Sequence, residues 1–115
     1  MTKDWRVRIE DMIEAVERCL DYVRGLSHQD FLDDIRSQDA VLRNLEVLGE
    51  ASKRIPPYIT HAYPQVPWSR LADMRNILVH EYHSVDPNIV LDTVIYELPP
   101  ILPVLKQVLA QDVDE

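Results

Sequence analysis

The chain has 115 residues, 46% of them apolar, with two glycines, one cysteine and a formal net charge of −8. That length supports one hydrophobic core and not two, so residues 1–115 are read as a single domain. The lone Cys19 excludes an intrachain disulfide and a cysteine-built zinc cluster, as expected of a cytoplasmic protein, and the acidity argues against broad nonspecific nucleic-acid binding, whose affinity comes from phosphate contacts.

Taken in order, the chain reads as a series of helices. Trp5, Ile9, Met12, Ile13, Val16, Leu20 and Val23 recur at spacings of three and four, which predicts a first helix over Trp5 to Arg24. Asp4 is its expected cap and Gly25 its stop. No apolar signal-peptide core follows the charged N-terminus. Ser27-His28-Gln29-Asp30 has the form of a capping box and opens a short piece near Phe31 to Asp34. A second long helix is predicted from Ser37 to Ile55, stopped by Pro56-Pro57. Val41, Leu45, Leu48, Ser52 and Ile55 form its inward stripe, and Asp39, Arg43, Glu46, Glu50 and Lys53 its polar stripe. That polar stripe is either a solvated face laced with Arg–Glu pairs or a wall of an active cleft or dimer interface. In the second case Asp39, Arg43 and Glu46 orient groups on the next helix.

Pro56 to Pro67 reads as a proline-rich loop in which His61 has no chemical role. The third long helix begins near Trp68 and ends around Tyr82 to Ser84. Asp86-Pro87 starts a fourth, by a capping carboxylate followed by proline at the first position. It runs to Leu98, where Pro99-Pro100 is expected to interrupt or kink the ladder. A last helix covers Ile101 to Gln111, and the acidic tail Asp112 to Glu115 is expected to fray. The longest uncharged apolar run, Leu98 to Leu105, is too short to cross a bilayer, so no membrane is expected. With no strand-like alternation, repeat or glycine-rich phosphate loop, the fold class is an all-α, up-and-down bundle of four to five helices.

The third helix concentrates the chemistry. On a helical wheel with Arg75 at zero, Leu71, Met74 and Leu78 fall between about 260° and 320°, a compact apolar stripe. Tyr82, Arg75, Val79, Asn76 and His80 sweep the opposite arc, from about 340° to 140°. This predicts a helix anchored by one face and presenting Arg75, Asn76 and His80 on the other. Asn76 and His80, four apart, can stack.

Arg75-Asn76-Ile77-Leu78-Val79-His80-Glu81-Tyr82 resembles the R-x4-H-x-Y signature of HepT-like proteins, small helical ribonucleases of the HEPN superfamily. The resemblance extends to Pro67-Trp68 upstream, to Tyr82-x3-Asp86 downstream, and to Arg43-Asn44-Leu45-Glu46-Val47-Leu48-Gly49-Glu50-Ala51 one helix earlier. It covers nearly the whole chain. It implies the toxin of a type VII toxin–antitoxin system, with an MntA-like nucleotidyltransferase as the antitoxin partner. It also implies an active site at a homodimer interface, and Tyr82 as the residue that the antitoxin modifies with AMP.

The residue types suit that chemistry. Cleaving RNA without a metal needs a base for the 2′-hydroxyl, an acid for the leaving 5′-oxygen, and positive charge on the phosphorane. Imidazole titrates near neutral pH and guanidinium can bind two phosphate oxygens at once. His80 is therefore the expected acid/base and Arg75 the transition-state clamp, with Asn76 fixing the imidazole or a phosphate oxygen. No metal and no cofactor is expected. One such histidine supplies an acid or a base; a two-fold dimer that places two Arg75/His80 sets over one cleft supplies both. The substrate would be messenger or transfer RNA, drawn locally by Arg75, Arg70, Arg43, His61 and His83. The alternative is a non-catalytic helical subunit, binding a nucleotide or a minimal nucleotidyltransferase.

Overall fold

A computed structural model describes residues 4–111 apart from the side chain of Tyr82; the expected fraying of Asp112 to Glu115 lies outside those residues. Local chemistry sets most helix ends. α1 spans Trp5–Val23. Asp4 caps it by accepting from the Arg6 backbone N–H at 3.0 Å. Gly25 turns the chain away with φ 78°, a left-handed conformation that side chains resist. Ser27 and Asp30 complete the expected capping box at the start of α2 (His28–Asp33). α3 spans Ile35–Lys53 and begins two residues before the predicted Ser37, because Asp34 caps it. The Asp34 carboxylate accepts from both the backbone N–H and the hydroxyl of Ser37.

The predicted proline-rich loop contains one helical turn, α4 (Pro57–Thr60), with Pro57 at its first position. α5 spans Trp68–His80 and so ends sooner than predicted. Tyr82–Ser84 forms a separate 3-10 turn, entered through an Ile77 carbonyl that accepts from Glu81 N–H at 2.7 Å. α6 spans Pro87–Asp92, with Asp86 capping Asn88 as expected.

Pro99 and Pro100 do not break the last helix. The preceding turn, Thr93–Glu97, is π-helical, and α7 runs on from Leu98 to Ala110. A widened turn gives the two pyrrolidine rings room beside the carbonyls they would otherwise strike. Pro87–Ala110 is consequently one helical body of 24 residues, long and apolar enough by length and composition to cross a membrane. The short run read between prolines understated that length. Here the helix supplies core: Leu91, Val94, Leu98, Leu105 and Val108 are all buried.

α3 lies between α1 and α5, α7 packs on the other flank of α1, and α2 and α6 pack together beside α3. Ile9, Met12 and Val16 of α1 meet Val41, Leu45 and Leu48 of α3 in the central layer. The result is the expected all-α bundle, without strands among the described residues.

The α3–α5 contact is the tightest in the molecule that a glycine permits. A Cβ on Gly49 would stand 2.4 Å from the Arg75 Cβ and 2.5 Å from the Leu71 carbonyl oxygen. Just beyond it, Ser52 donates its hydroxyl to the Trp68 carbonyl at 2.8 Å, and Trp68 Nε1 donates to the Tyr63 carbonyl at 2.9 Å. These two bonds fix where α5 starts.

Helix propensity alone predicts that Gly49→Ala stabilises the protein by about 1 kcal/mol. The steric conflict predicts the reverse, a loss of about 1–3 kcal/mol from overpacking. Urea unfolding of the variant decides between them, and a midpoint at or above wild type would show that the helices separate freely.

Candidate functional site

The close crossing brings the polar stripe of α3 against Arg75. Leu71 and Leu78 are buried and Met74 packs partly against the core, as the wheel predicts. Arg75 lies on the side of α5 turned toward α3. Its Nε stands 3.2 Å from Glu50 Oε2, and its Nη1 donates to Asn76 Oδ1 at 3.0 Å. Glu50 Oε1 accepts in turn from Nε and Nη2 of Arg54, at 3.3 and 3.0 Å. The result is a row of alternating charge, Arg54–Glu50–Arg75.

Around this row opens a cleft of ≈ 230 Å³. Arg8 and Asp11 of α1, Arg43, Glu46 and Glu50 of α3, and Arg75 and Val79 of α5 line it. Arg43 and Glu46 form a long ion pair along its α3 wall, at 4.0 Å. Three guanidinium groups face three carboxylates, so the cleft presents no net positive charge of its own. The arrangement can hold an arginine in a set orientation; it does not by itself concentrate anions.

The other predicted residues go elsewhere. His80 ends α5, exposed, and does not line the cleft. Five residues from Arg75, it points about 140° away around the helix while Arg75 is turned inward to α3. Asn76, four residues before His80, accepts from Arg75 through its side-chain oxygen. Asp39 lines a separate cavity of ≈ 410 Å³ with His83, Gln38 and Phe31. It stands one turn before Arg43, where α3 packs on α2 and α6 instead of α5. Arg70 pairs with Glu97, and His61 lines a shallow depression at the start of α5. The anticipated cluster of Arg75, Arg70, Arg43, His61 and His83 is therefore divided: Arg43 and Arg75 share one cleft, Arg70 and His61 line a second depression, and His83 lines a third cavity. The side chain of Tyr82 lies outside the described part of the structure. Among the described residues, no group of three or more His, Cys, Asp or Glu side chains is placed to hold a metal ion. Cys19 is buried, and burial pushes its thiol up to about 12, which leaves it an inert core residue.

Sequence reasoning passed over Glu50 as a partner of Arg75, and over Arg8 and Asp11 altogether as cleft residues. A signal for the first was present. Gly49 is one of two glycines in the chain and the one inside a helix, where glycine marks a close approach.

An all-α bundle of this kind, with an Arg-x4-His segment on α5, is consistent with a HEPN-type domain. The comparisons agree. Residues 12–108 match the family model described as "Ribonuclease HepT-like". A Thermococcus cleftensis protein named "Probable ribonuclease HepT" is 38% identical over 101 residues, 88% of this chain and 92% of its own. A "Putative RNase" of Methanocaldococcus jannaschii is 38% identical over 97 residues, 84% of this chain and 80% of its own. Another protein of that name, from Caldanaerobacter subterraneus, is 33% identical over 107 residues, 93% of this chain and 96% of its own. No solved structure matches. The chain belongs to the HepT-like ribonuclease family.

Hydrogen bonds from Arg54 hold the Glu50 carboxyl below its ordinary value of 4.5; partial desolvation opposes them, and the positive charges of Arg75, Arg54 and Lys53 assist. A native value below the unfolded one means that Glu50 contributes its stability above pH 4.5 and loses it as pH falls through the native value. Wild type is therefore expected to lose stability more steeply than Glu50→Gln between about pH 5 and pH 3. Urea midpoints across that range test this, and parallel acid limbs would refute it.

Proposed function

We propose that this protein is a metal-independent endoribonuclease and the toxin of a type VII toxin–antitoxin pair. The observation that carries the reading is the seating of Arg75: a guanidinium held by Glu50 and Asn76, on the helix that exposes His80 at its end. Membership in the HepT-like ribonuclease family supports it.

The chemistry needs two copies of α5. In one protomer Arg75 and His80 occupy different sides of the helix, and a single imidazole cannot serve as base and acid in one turnover. Two chains about a two-fold axis supply two imidazoles and two guanidiniums to one phosphodiester. One His80 takes the proton of the 2′-hydroxyl, whose oxygen attacks phosphorus. The other gives a proton to the departing 5′-oxygen, leaving a 2′,3′-cyclic phosphate. Arg75 meets the charge that builds on the phosphorane oxygens. Support for such a pairing comes from two apolar side chains that share a groove beside the motif helix: Ile77 is 52% exposed and Ile89 65%. Large apolar groups left in water along a functional helix mark a surface that another protein covers.

Regulation follows from Tyr82, two residues past His80. AMP transfer to its phenol by an MntA-like nucleotidyltransferase adds a phosphodiester charge and an adenine near the cleft. Both compete with RNA, the first for Arg75 and the second for space. A second reading is a non-catalytic helical subunit of such a nucleotidyltransferase. The net charge of −8 and the charge-balanced cleft favour it, since neither attracts RNA.

Incubation with RNA separates the two. Wild type is expected to cut RNA to 2′,3′-cyclic phosphate ends at undiminished rate in chelator. His80→Ala should slow cleavage by about 10²–10⁴-fold, the usual contribution of a general acid or base. Arg75→Ala should lose about 10²–10³-fold, as for removal of one charge-stabilising donor. Intact RNA with every preparation would leave the binding-subunit reading standing, and cleavage that requires magnesium would refute the metal-independent mechanism. Tyr82→Phe should remain toxic when the antitoxin is co-expressed, and silencing equal to wild type would exclude modification at that phenol.

A further inference from the structure

We infer that Glu50 is a positioning residue for Arg75, orienting its guanidinium from the neighbouring helix. The inference rests on the reading of Arg75 as the charge clamp of an RNA-cleaving site, and deepens it.

Four observations converge. Glu50 follows Gly49, the residue at which α3 and α5 approach most closely, so the reach between the two side chains is fixed by backbone contact. Its Oε2 is shielded from water and has no well-aligned hydrogen bond; the charge it carries is met by the ion pair with Arg75 Nε at 3.2 Å. A carboxylate oxygen closed off from solvent is costly unless a cation stays beside it, so this oxygen holds the guanidinium in place. Its Oε1 is engaged by Arg54, one turn further along α3, which sets the Glu50 rotamer independently of Arg75. Asn76 engages the other end of the guanidinium at Nη1. Held at Nε and Nη1, the planar group loses its freedom to rotate.

The charges are consistent with that role. A lone carboxylate beside Arg75 would repel phosphate and cancel the clamp. Arg54 offsets Glu50, so Arg54, Glu50 and Arg75 together keep one positive charge, the same as an unassisted arginine, in a fixed orientation. A transition-state clamp gains from orientation because misplacement by a fraction of an ångström forfeits its interaction. Had the pair served only to join the helices, its two side chains, each about one-third exposed, would contribute little.

The test uses the full-length protein and two readouts. The first is hydrogen exchange of the Arg75 Nε–H by NMR, assigned by its disappearance in Arg75→Lys. The second is RNA cleavage, with kcat and KM determined separately. Glu50→Gln should unfold close to wild type, exchange the Arg75 Nε–H at least ten-fold faster, and lower kcat at least ten-fold with KM within two-fold. Should that variant not fold, Glu50→Asp, which keeps the charge and shortens the reach, gives the same comparison. Unchanged exchange at Arg75, or a kcat within two-fold of wild type, would overturn the inference. If wild type cuts no RNA, it is the ribonuclease reading that fails, and the exchange measurement alone decides whether Glu50 positions Arg75.

Discussion

The crossing of α3 and α5 at Gly49 governs what the rest of the molecule can do. Two helix backbones approach there until no side chain fits between them. Three consequences follow from that one contact. Arg75 is pressed against α3, so its guanidinium must extend along the polar stripe of that helix. Glu50, the next residue, becomes its neighbour. Leu71 and Leu78 are carried into the core on the other side, which fixes the rotation of α5 about its own axis. The bonds from Ser52 to Trp68 and from Trp68 to Tyr63 fix its translation. With rotation and translation both set, the positions of Arg75 and His80 are properties of the fold and not of flexible side chains.

The same geometry accounts for the division of labour along α5. Residues that face α3 are held; residues that face away are exposed. Arg75 belongs to the first group, His80 and Ile77 to the second, and Val79 sits beside Arg75 at the edge of the cleft. In the proposed reaction, which needs both a guanidinium and an imidazole at one phosphorus, a single copy would be half of a site. An acidic protein with a charge-balanced cleft has little long-range attraction for RNA, so under the proposed function recognition would have to come from contact geometry and from a surface built by more than one chain. Membership in the HepT-like family and the exposed apolar residues beside the motif bear on the same point from different sides.

What was legible beforehand was local. The helical period of Trp5 to Val23, the capping box at Ser27 and Asp30, the carboxylate at Asp86 and the stop at Gly25 each act within a few residues, and each stands where the sequence puts it. The errors were local too, and have physical causes. Asp34 caps α3 ahead of its first apolar residue. A π-helical turn accommodates Pro99-Pro100, so where an interruption or kink was expected the ladder widens for one turn and the helix continues. The proline-rich loop holds one helical turn because Pro57 is preset for it.

The amino-acid order alone determined an all-helical chain, its caps, its buried stripes and the Arg75-to-His80 spacing that ties it to its family. These depend on periodicity and on hydrogen bonds between near neighbours, which a linear text records. Only the tertiary structure decided which charged groups meet. It joined Arg75 to Glu50, brought Arg8 and Asp11 in from α1, sent Asp39 and His83 to another cavity, and turned Arg70 to Glu97. Those pairings depend on how closely two helices approach and at what rotation. One glycine sets that distance, and its effect cannot be read without the surface it meets.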